Sequence, residues 1–193
     1  KFMTQDFDLH PTIPIAPEGF KSGFVALIGR PNVGKSTLMN QLIGQKIAIT
    51  SPVAQTTRNR LRGILTTDRA QIIFVDTPGI HKPHHELGKI LVQNARSTVG
   101  AVDLVVFIVD GAVPLGKGDQ FIADFLKKTQ CNVILGINKI DQRPDNKPDI
   151  LTSYQDLAEQ NNWQLQEFSA LNGDRLPDLQ EKLITALDPG PYY

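Results

Sequence analysis

Eight residues in the first fifth of this chain restrict its folding more than any others: Gly29-Arg30-Pro31-Asn32-Val33-Gly34-Lys35-Ser36. They fit the pattern G-x-x-x-x-G-K-[ST], whose four fixed positions match by chance in on the order of one per cent of chains this long. The apolar run Phe24 to Ile28 precedes the loop, and Ser36 to Leu42 follows with helical spacing, so the loop joins a buried strand to a helix. Glycine lets the backbone wrap closely around an anion, and the N–H groups of the loop and of the helix N-terminus point at it. This is a phosphate loop. Lys35 is expected to reach the β- and γ-phosphates of a nucleotide, and the Ser36 hydroxyl to bind magnesium.

The rest of the chain alternates in the way that such a loop requires. Leu104 to Val109 and Val133 to Ile137 are continuous apolar runs, as in strands buried on both faces of a parallel sheet. Arg60 to Thr67 and Ala70 to Val75 flank a turn at Thr67-Asp68-Arg69 and read as a hairpin. Gln120 to Lys128 carries Phe121, Ile122, Phe125 and Leu126 on one helical stripe. Asp149 to Gln160 reads as a more polar helix, Leu165 to Phe168 as a last strand, and Leu176 to Leu187 as a last helix. Strands alternating with helices predict an open α/β sheet, mostly parallel, with right-handed crossovers. No internal repeat or low-complexity tract interrupts it.

Length and charge narrow the function classes. At 193 residues the chain is one domain with little room for a second. Residues 1–22 hold Pro11, Pro14 and Pro17 without a sustained period and read as an extended arm; 23–188 form the domain; 189–193 read as the start of a linker. Twenty basic residues balance twenty acidic ones, which argues against a free-standing nucleic-acid binder and against DNA as a partner. The balance is uneven along the chain: residues 1–100 carry 12 Lys/Arg against 6 Asp/Glu, and the remainder 8 against 14. One cysteine, Cys131, excludes an internal disulfide and a cysteine-based zinc site, and reads as a small buried hydrophobe at a strand start. The longest purely apolar run has six residues, and the N-terminal residues hold no apolar core of a signal peptide, so the cytoplasm is the expected compartment.

The base is chosen elsewhere. Asn138-Lys139-Ile140-Asp141 follows the Val133 to Ile137 strand directly. A carboxylate at Asp141 accepts from N1–H and the exocyclic amine of guanine together, whereas adenine would leave it unpaired. The Lys139 stem is expected to pack along the base, and Asn138 to tie the pocket to the phosphate loop. Asp76-Thr77-Pro78-Gly79 ends the Ala70 to Val75 strand in the same way: Asp76 suits a magnesium carboxylate acting through water, and the Gly79 N–H suits a γ-phosphate sensor.

These motifs, in this order, resemble the guanine-nucleotide-binding domain of the translation-factor-type GTPases. That resemblance implies a P-loop NTPase G domain: a mostly parallel six-stranded sheet with one antiparallel edge strand and helices on both faces. It adds Thr37 and the run Ser169-Ala170-Leu171 to the nucleotide contacts, the last through backbone N–H groups on the guanine oxygen. It also makes Gln55-Thr56-Thr57-Arg58 the first switch, with Thr57 on magnesium and the γ-phosphate. Within the superfamily, the phosphate loop with Thr37-Leu38-Met39-Asn40, then Ile49-Thr50-Ser51 through Arg58, and Asp76 through His81-Lys82-Pro83 are similar to the bacterial Era GTPases. The final Gly190-Pro191-Tyr192-Tyr193 is similar to that family's junction into a C-terminal KH domain. The resemblance implies binding of 16S rRNA and a role in 30S subunit biogenesis through a KH domain outside this chain, with weak association at the inner face of the cell membrane. The double-GTPase family would repeat the phosphate loop, and the tRNA-modifying family usually has Asp where Asn59 follows Arg58.

One departure bears on mechanism. After Gly79, where Ras-type enzymes place a water-orienting glutamine, stands Ile80, which offers nothing to a water, so slow unaided hydrolysis is expected. His81, His84 and His85 flank Lys82-Pro83, and they read as a solvated switch rather than as a metal site or base. Two function classes stay open: a GTP hydrolase that cycles between states, with Lys35, Thr57, Gly79 and Asn32 at the reacting phosphates, or a GTP/GDP-sensing module with incidental turnover. In resembling potassium-activated GTPases an asparagine at the Asn32 position coordinates a monovalent cation, which makes potassium a candidate cofactor beside magnesium. The alternative is that Asn32 only braces the loop.

Overall fold

A computed structural model describes residues 14–43, 60–76 and 96–193. Six strands form one sheet: β1 (Lys21–Ile28), β2 (Arg60–Thr66), β3 (Ala70–Asp76), β4 (Leu104–Asp110), β5 (Asn132–Asn138) and β6 (Gln164–Glu167). The helices are α1 (Lys35–Ile43), α2 (residues 96–101), α3 (Lys117–Lys127), α4 (Asp149–Asn161) and α5 (Leu176–Ala186). Strand order is β2-β3-β1-β4-β5-β6, and every neighbouring pair is parallel except β2 with β3. The expected sheet, with its single antiparallel edge strand, is the observed one.

Alternation along the central strands divides the core in two. Ala26 and Ile28 of β1 and Val105, Phe107 and Val109 of β4 face one side, where α3 and α4 cover them with Ile122, Phe125, Leu126, Tyr154 and Leu157. Val25, Leu27, Leu104, Val106 and Ile108 face the other side, under Leu38 and Leu42 of α1 and Leu179, Leu183 and Ile184 of α5. Strands covered on both faces must be apolar throughout, which is why β4 reads as an unbroken run. Among the described residues, no helix is long and apolar enough to cross a membrane.

Two element starts differ from the sequence reading by more than one residue. β1 begins at Lys21, inside the expected arm, because Lys21 and Ser22 already pair with Ala70 and Gln71 of β3. The helix expected from Gln120 begins at Lys117, because Oδ2 of Asp119 accepts the Gly116 N–H at 3.1 Å and stabilises a polar first turn that carries no apolar period. Residues 189–193, expected as a linker, pack on the domain. Pro189 forms an antiparallel bridge with Lys21, the Gly190 N–H donates to the Phe20 carbonyl at 2.9 Å, and Tyr192 and Tyr193 lie 4.6 and 5.1 Å, ring centre to ring centre, from Phe20 and Phe24. Cys131 is half-buried one residue before β5, with burial pushing its thiol pKa up.

The carboxyl ends of β1, β3, β4, β5 and β6 lie along one edge. Strand order departs in both directions from β1, to β3 on one side and β4 on the other, and the carboxyl end of such a switch point is where open α/β sheets bind ligands. The loop after β1 emerges there.

Candidate functional site

The phosphate loop is folded tightly over the end of β4. A Cβ on Gly29 would come within 2.5 Å of the Ile108 carbonyl oxygen, so only glycine fits between the two strands at that point. Asn32 (φ 65°) and Gly34 (φ 103°) are both left-handed, and a Cβ on Gly34 would press into the Asn138 amide. The Lys35 ammonium donates to the carbonyls of Gly29 and, at 3.3 Å, of Arg30, so the loop arches over it. Ser36 and Thr37 are exposed in the first turn of α1. N–H groups of a first helical turn have no acceptor inside the helix, so this end of α1 suits an anion.

Asn138, at the end of β5 and 2% exposed, joins three segments. Its Nδ2 donates to the Val33 carbonyl at 2.8 Å, and its Oδ1 accepts the Ala170 N–H at 2.9 Å. Asn138 thus ties the end of β5 to the Gly29–Ser36 loop and to the last loop. Lys139 is left-handed (φ 63°), which turns its side chain back across the loop. Its ammonium donates to the Asn32 carbonyl at 2.8 Å and lies 3.3 Å from Oδ2 of Asp110. Asp141 is exposed, and its Oδ1 accepts the Ser169 hydroxyl at 2.8 Å. A carboxylate held from one side by a buried serine presents its remaining lone pairs in a fixed direction, as paired recognition of two N–H donors demands.

The last loop behaves differently from expectation in one respect. The N–H groups of Ser169 and Ala170, which the resemblance directs at a guanine oxygen, have protein acceptors in Asp174 and Asn138. Leu171 is the member of the run that faces outward, 65% exposed, and its carbonyl accepts from Gln41 of α1 at 3.4 Å.

Two acids that the sequence reading passed over belong to the site. Asp110 receives Lys139 and also caps its own turn, accepting the Ala112 N–H at 2.9 Å. Asp119, fully buried, accepts Nε of Arg30 at 2.7 Å and so fastens the phosphate loop to α3. Burial works against the Arg30 charge, but the hydrogen bond and the charge of Asp119 outweigh it, and the guanidinium pKa lies above its ordinary value. The signals were there: Asp110 directly follows an apolar run, and Asp119 stands three residues after Gly116, the spacing of an N-terminal cap.

Not every expected residue is placed. Asp76 closes β3 beside Leu27 of β1, which brings its backbone to the loop edge. Thr57, Thr77, Pro78, Gly79, Ile80 and the three histidines lie outside the described residues. Among the described residues, no group of three or more His, Cys, Asp or Glu could hold a metal by itself. A donor of another kind that would suit magnesium is the exposed hydroxyl of Ser36, in the first turn of α1. A cavity of about 660 Å³ opens at the opposite edge around Gln130, Asn132 and Trp163, away from these groups.

Comparison with known proteins agrees with this geometry. The family model described as "50S ribosome-binding GTPase" matches residues 24–139. The chain is 66% identical over 182 residues to the GTPase Era of Rippkaea orientalis, covering 94% of this chain and 58% of that protein. It is 63% identical over 193 residues to the GTPase Era of Crocosphaera subtropica, covering 99% and 62%. The chain thus spans about three-fifths of these curated relatives. Among solved structures it superimposes, with a TM-score of 0.74, 36% identity and 90% of its length against 59% of the other chain, on Era in complex with MgGDPNP and nucleotides 1506–1542 of 16S ribosomal RNA. With the loop motif, the Asn138 contacts and the sheet order in agreement, the chain belongs to the 50S ribosome-binding GTPase family and within it is similar to the GTPases Era.

Proposed function

We propose that this domain binds GTP and GDP with magnesium and hydrolyses GTP to GDP and phosphate, changing conformation between the two states. One observation carries the reading: Asn138 bonds Val33 of the phosphate loop and Ala170 of the last loop at once, so a phosphate cradle and a base pocket are built as one unit. Gly29 through Thr37 form the cradle, with Lys35 on the β- and γ-phosphates. Asp141 reads the guanine edge, and Leu171 covers the outer side of the base. Ser36 and Thr57, with Asp76 through water, would hold magnesium, which when bound screens the charge that develops between the β- and γ-phosphates. Thr57 and Gly79 sense the γ-phosphate and order their switches only while it is present.

Asn32 and potassium belong to the same reading. Asn32, whose main-chain carbonyl accepts from Lys139, would offer its carboxamide oxygen to a monovalent cation, which would offset charge developing on the phosphates. The resemblance to Era further suggests a 16S rRNA partner and a part in 30S subunit biogenesis, exercised in the cytoplasm through a following KH domain. It also suggests a weak peripheral association with the cell membrane.

Phosphate release from GTP under single-turnover conditions tests the reading. The expected result is slow formation of GDP and phosphate from GTP and none from ATP. No release above the protein-free control would overturn hydrolysis, and tight GDP binding in that case would favour a sensor.

A further inference from the structure

We infer that Asp119 is a positioning residue for phosphate binding, acting through Arg30 to hold the phosphate loop in its anion-binding shape before any nucleotide arrives. This rests on the nucleotide reading above and assigns to it a residue outside every motif in the chain.

The loop needs such a hold. Two of its residues are left-handed, and the carbonyls of Gly29 and Arg30 both turn toward one ammonium. Short arches of this kind bring like dipoles together and store strain that surrounding contacts must offset. Its second half is fastened at Asn32 by Lys139 and at Val33 by Asn138. Its first half is fastened at Arg30, whose Nε meets Oδ1 of Asp119 at 2.7 Å. The Arg30 stem also lies on Gly118, where a Cβ would come within 2.7 Å of its Cδ, so side-chain bulk at 118 would push the arginine off.

Asp119 is suited to anchor rather than to be anchored. It is fully buried, and its other oxygen receives the Gly116 N–H at the start of α3. The N-terminus of α3 adds a favourable field for the carboxylate. A buried carboxylate with one charged partner is destabilising when that partner is lost, so Arg30 is held firmly although a third of its side chain is exposed. The connection runs from α3, packed in one core, to the arch that receives the β-phosphate. Since every nucleotide with a β-phosphate uses the arch, loosening it weakens GDP and GTP equally and leaves base choice to Asp141.

The test compares wild type with Asp119→Asn, Arg30→Lys and the double variant. Asn keeps the size of Asp and an oxygen for the Gly116 N–H, and Lys keeps the Arg30 charge without its Nε. Fluorescent GDP and GTP are titrated well below each variant's unfolding temperature, and hydrogen exchange over residues 29–36 is followed without nucleotide. The expected result is that Asp119→Asn weakens GDP and GTP alike by about tenfold, a coupling of ~1.4 kcal/mol, with unchanged preference over ATP and faster exchange in the loop. The double variant is then no weaker than the worse single one. A merely structural role lowers the unfolding temperature but leaves the dissociation constants alone, and that outcome overturns the inference. Should Asp119→Asn fail to fold, Arg30→Lys decides by the same measurements. A wild-type protein that binds neither nucleotide overturns the function reading instead, whereas normal wild-type binding with unaltered variants overturns this inference alone.

Discussion

The carboxamide of Asn138 donates to the carbonyl of Val33 at 2.8 Å, across 105 positions of sequence, with 2% of the asparagine exposed. This bond, with the one to Ala170, ties the Gly29–Ser36 loop, the end of β5 and the last loop together, the proposed cradle and base pocket. Asn138→Ala leaves both the Val33 carbonyl and the Ala170 N–H without their partner in a buried place. Each such orphan costs about 1–3 kcal/mol, so a total loss of roughly 2–6 kcal/mol is expected from urea unfolding. The same variant is expected to lose guanine nucleotide binding at temperatures where it stays folded, measured by calorimetry.

Glycine substitutions should separate by place. Gly34→Ala meets a left-handed backbone and the Asn138 amide together, and is expected to abolish nucleotide binding and to destabilise the fold by about 1–3 kcal/mol from backbone strain alone. Gly100→Ala, in α2, meets no atom within 4 Å and is expected to raise stability by about 0.5–1 kcal/mol. Urea midpoints of the two variants check both signs.

Tyr154 links α4 to the loop after β4. Its hydroxyl lies 2.7 Å from the Val113 carbonyl and 3.0 Å from that of Asp110 and shares one proton between them. Burial, with the charge of Asp119, pushes the phenol well above its ordinary value of 10.0. The unfolded chain therefore releases this proton near pH 10 while the folded chain keeps it, so the contribution is full below pH 10 and declines above it. Tyr154→Phe is expected to cost about 1 kcal/mol at neutral pH and to flatten the loss of stability above pH 10, followed by urea unfolding at several pH values.

Asn32 tests the cation reading. Because its backbone is left-handed, Asn32→Gly removes the carboxamide without strain, which Ala would not do. GTP turnover is expected to be faster in potassium than in sodium at equal ionic strength for wild type, and equal in both for Asn32→Gly. A wild-type rate indifferent to the cation removes potassium from the account.

How far the sequence could be read follows from where each partner sits. The loop Gly29–Ser36 is legible because its chemistry is local, a fixed spacing over eight residues between a strand and a helix. β4 and β5 are legible because burial on both faces leaves polar residues only at their ends. Asp119 is legible only as a helix cap by its spacing from Gly116, since nothing local marks Arg30, 89 positions earlier, as its partner. The packing of the tail is not legible for the same reason, partners distant in sequence. Tyr192 and Tyr193 stand in a proline- and glycine-rich stretch, and the rings that hold them belong to the other end of the chain. Lys139 was assigned to the base by its stem, while its charged head closes the phosphate loop.

The proposed recognition of guanine through Asp141 is measured most directly by competition binding. GTP, ATP and xanthosine triphosphate are titrated against bound fluorescent GDP, for wild type and Asp141→Asn. Wild type is expected to prefer GTP over ATP by about a hundredfold or more, the scale of a paired charged contact. Asp141→Asn is expected to lose GTP by a similar factor and to gain xanthosine triphosphate, whose O2 suits an amide donor. Equal GTP affinity in the two proteins would contradict the account.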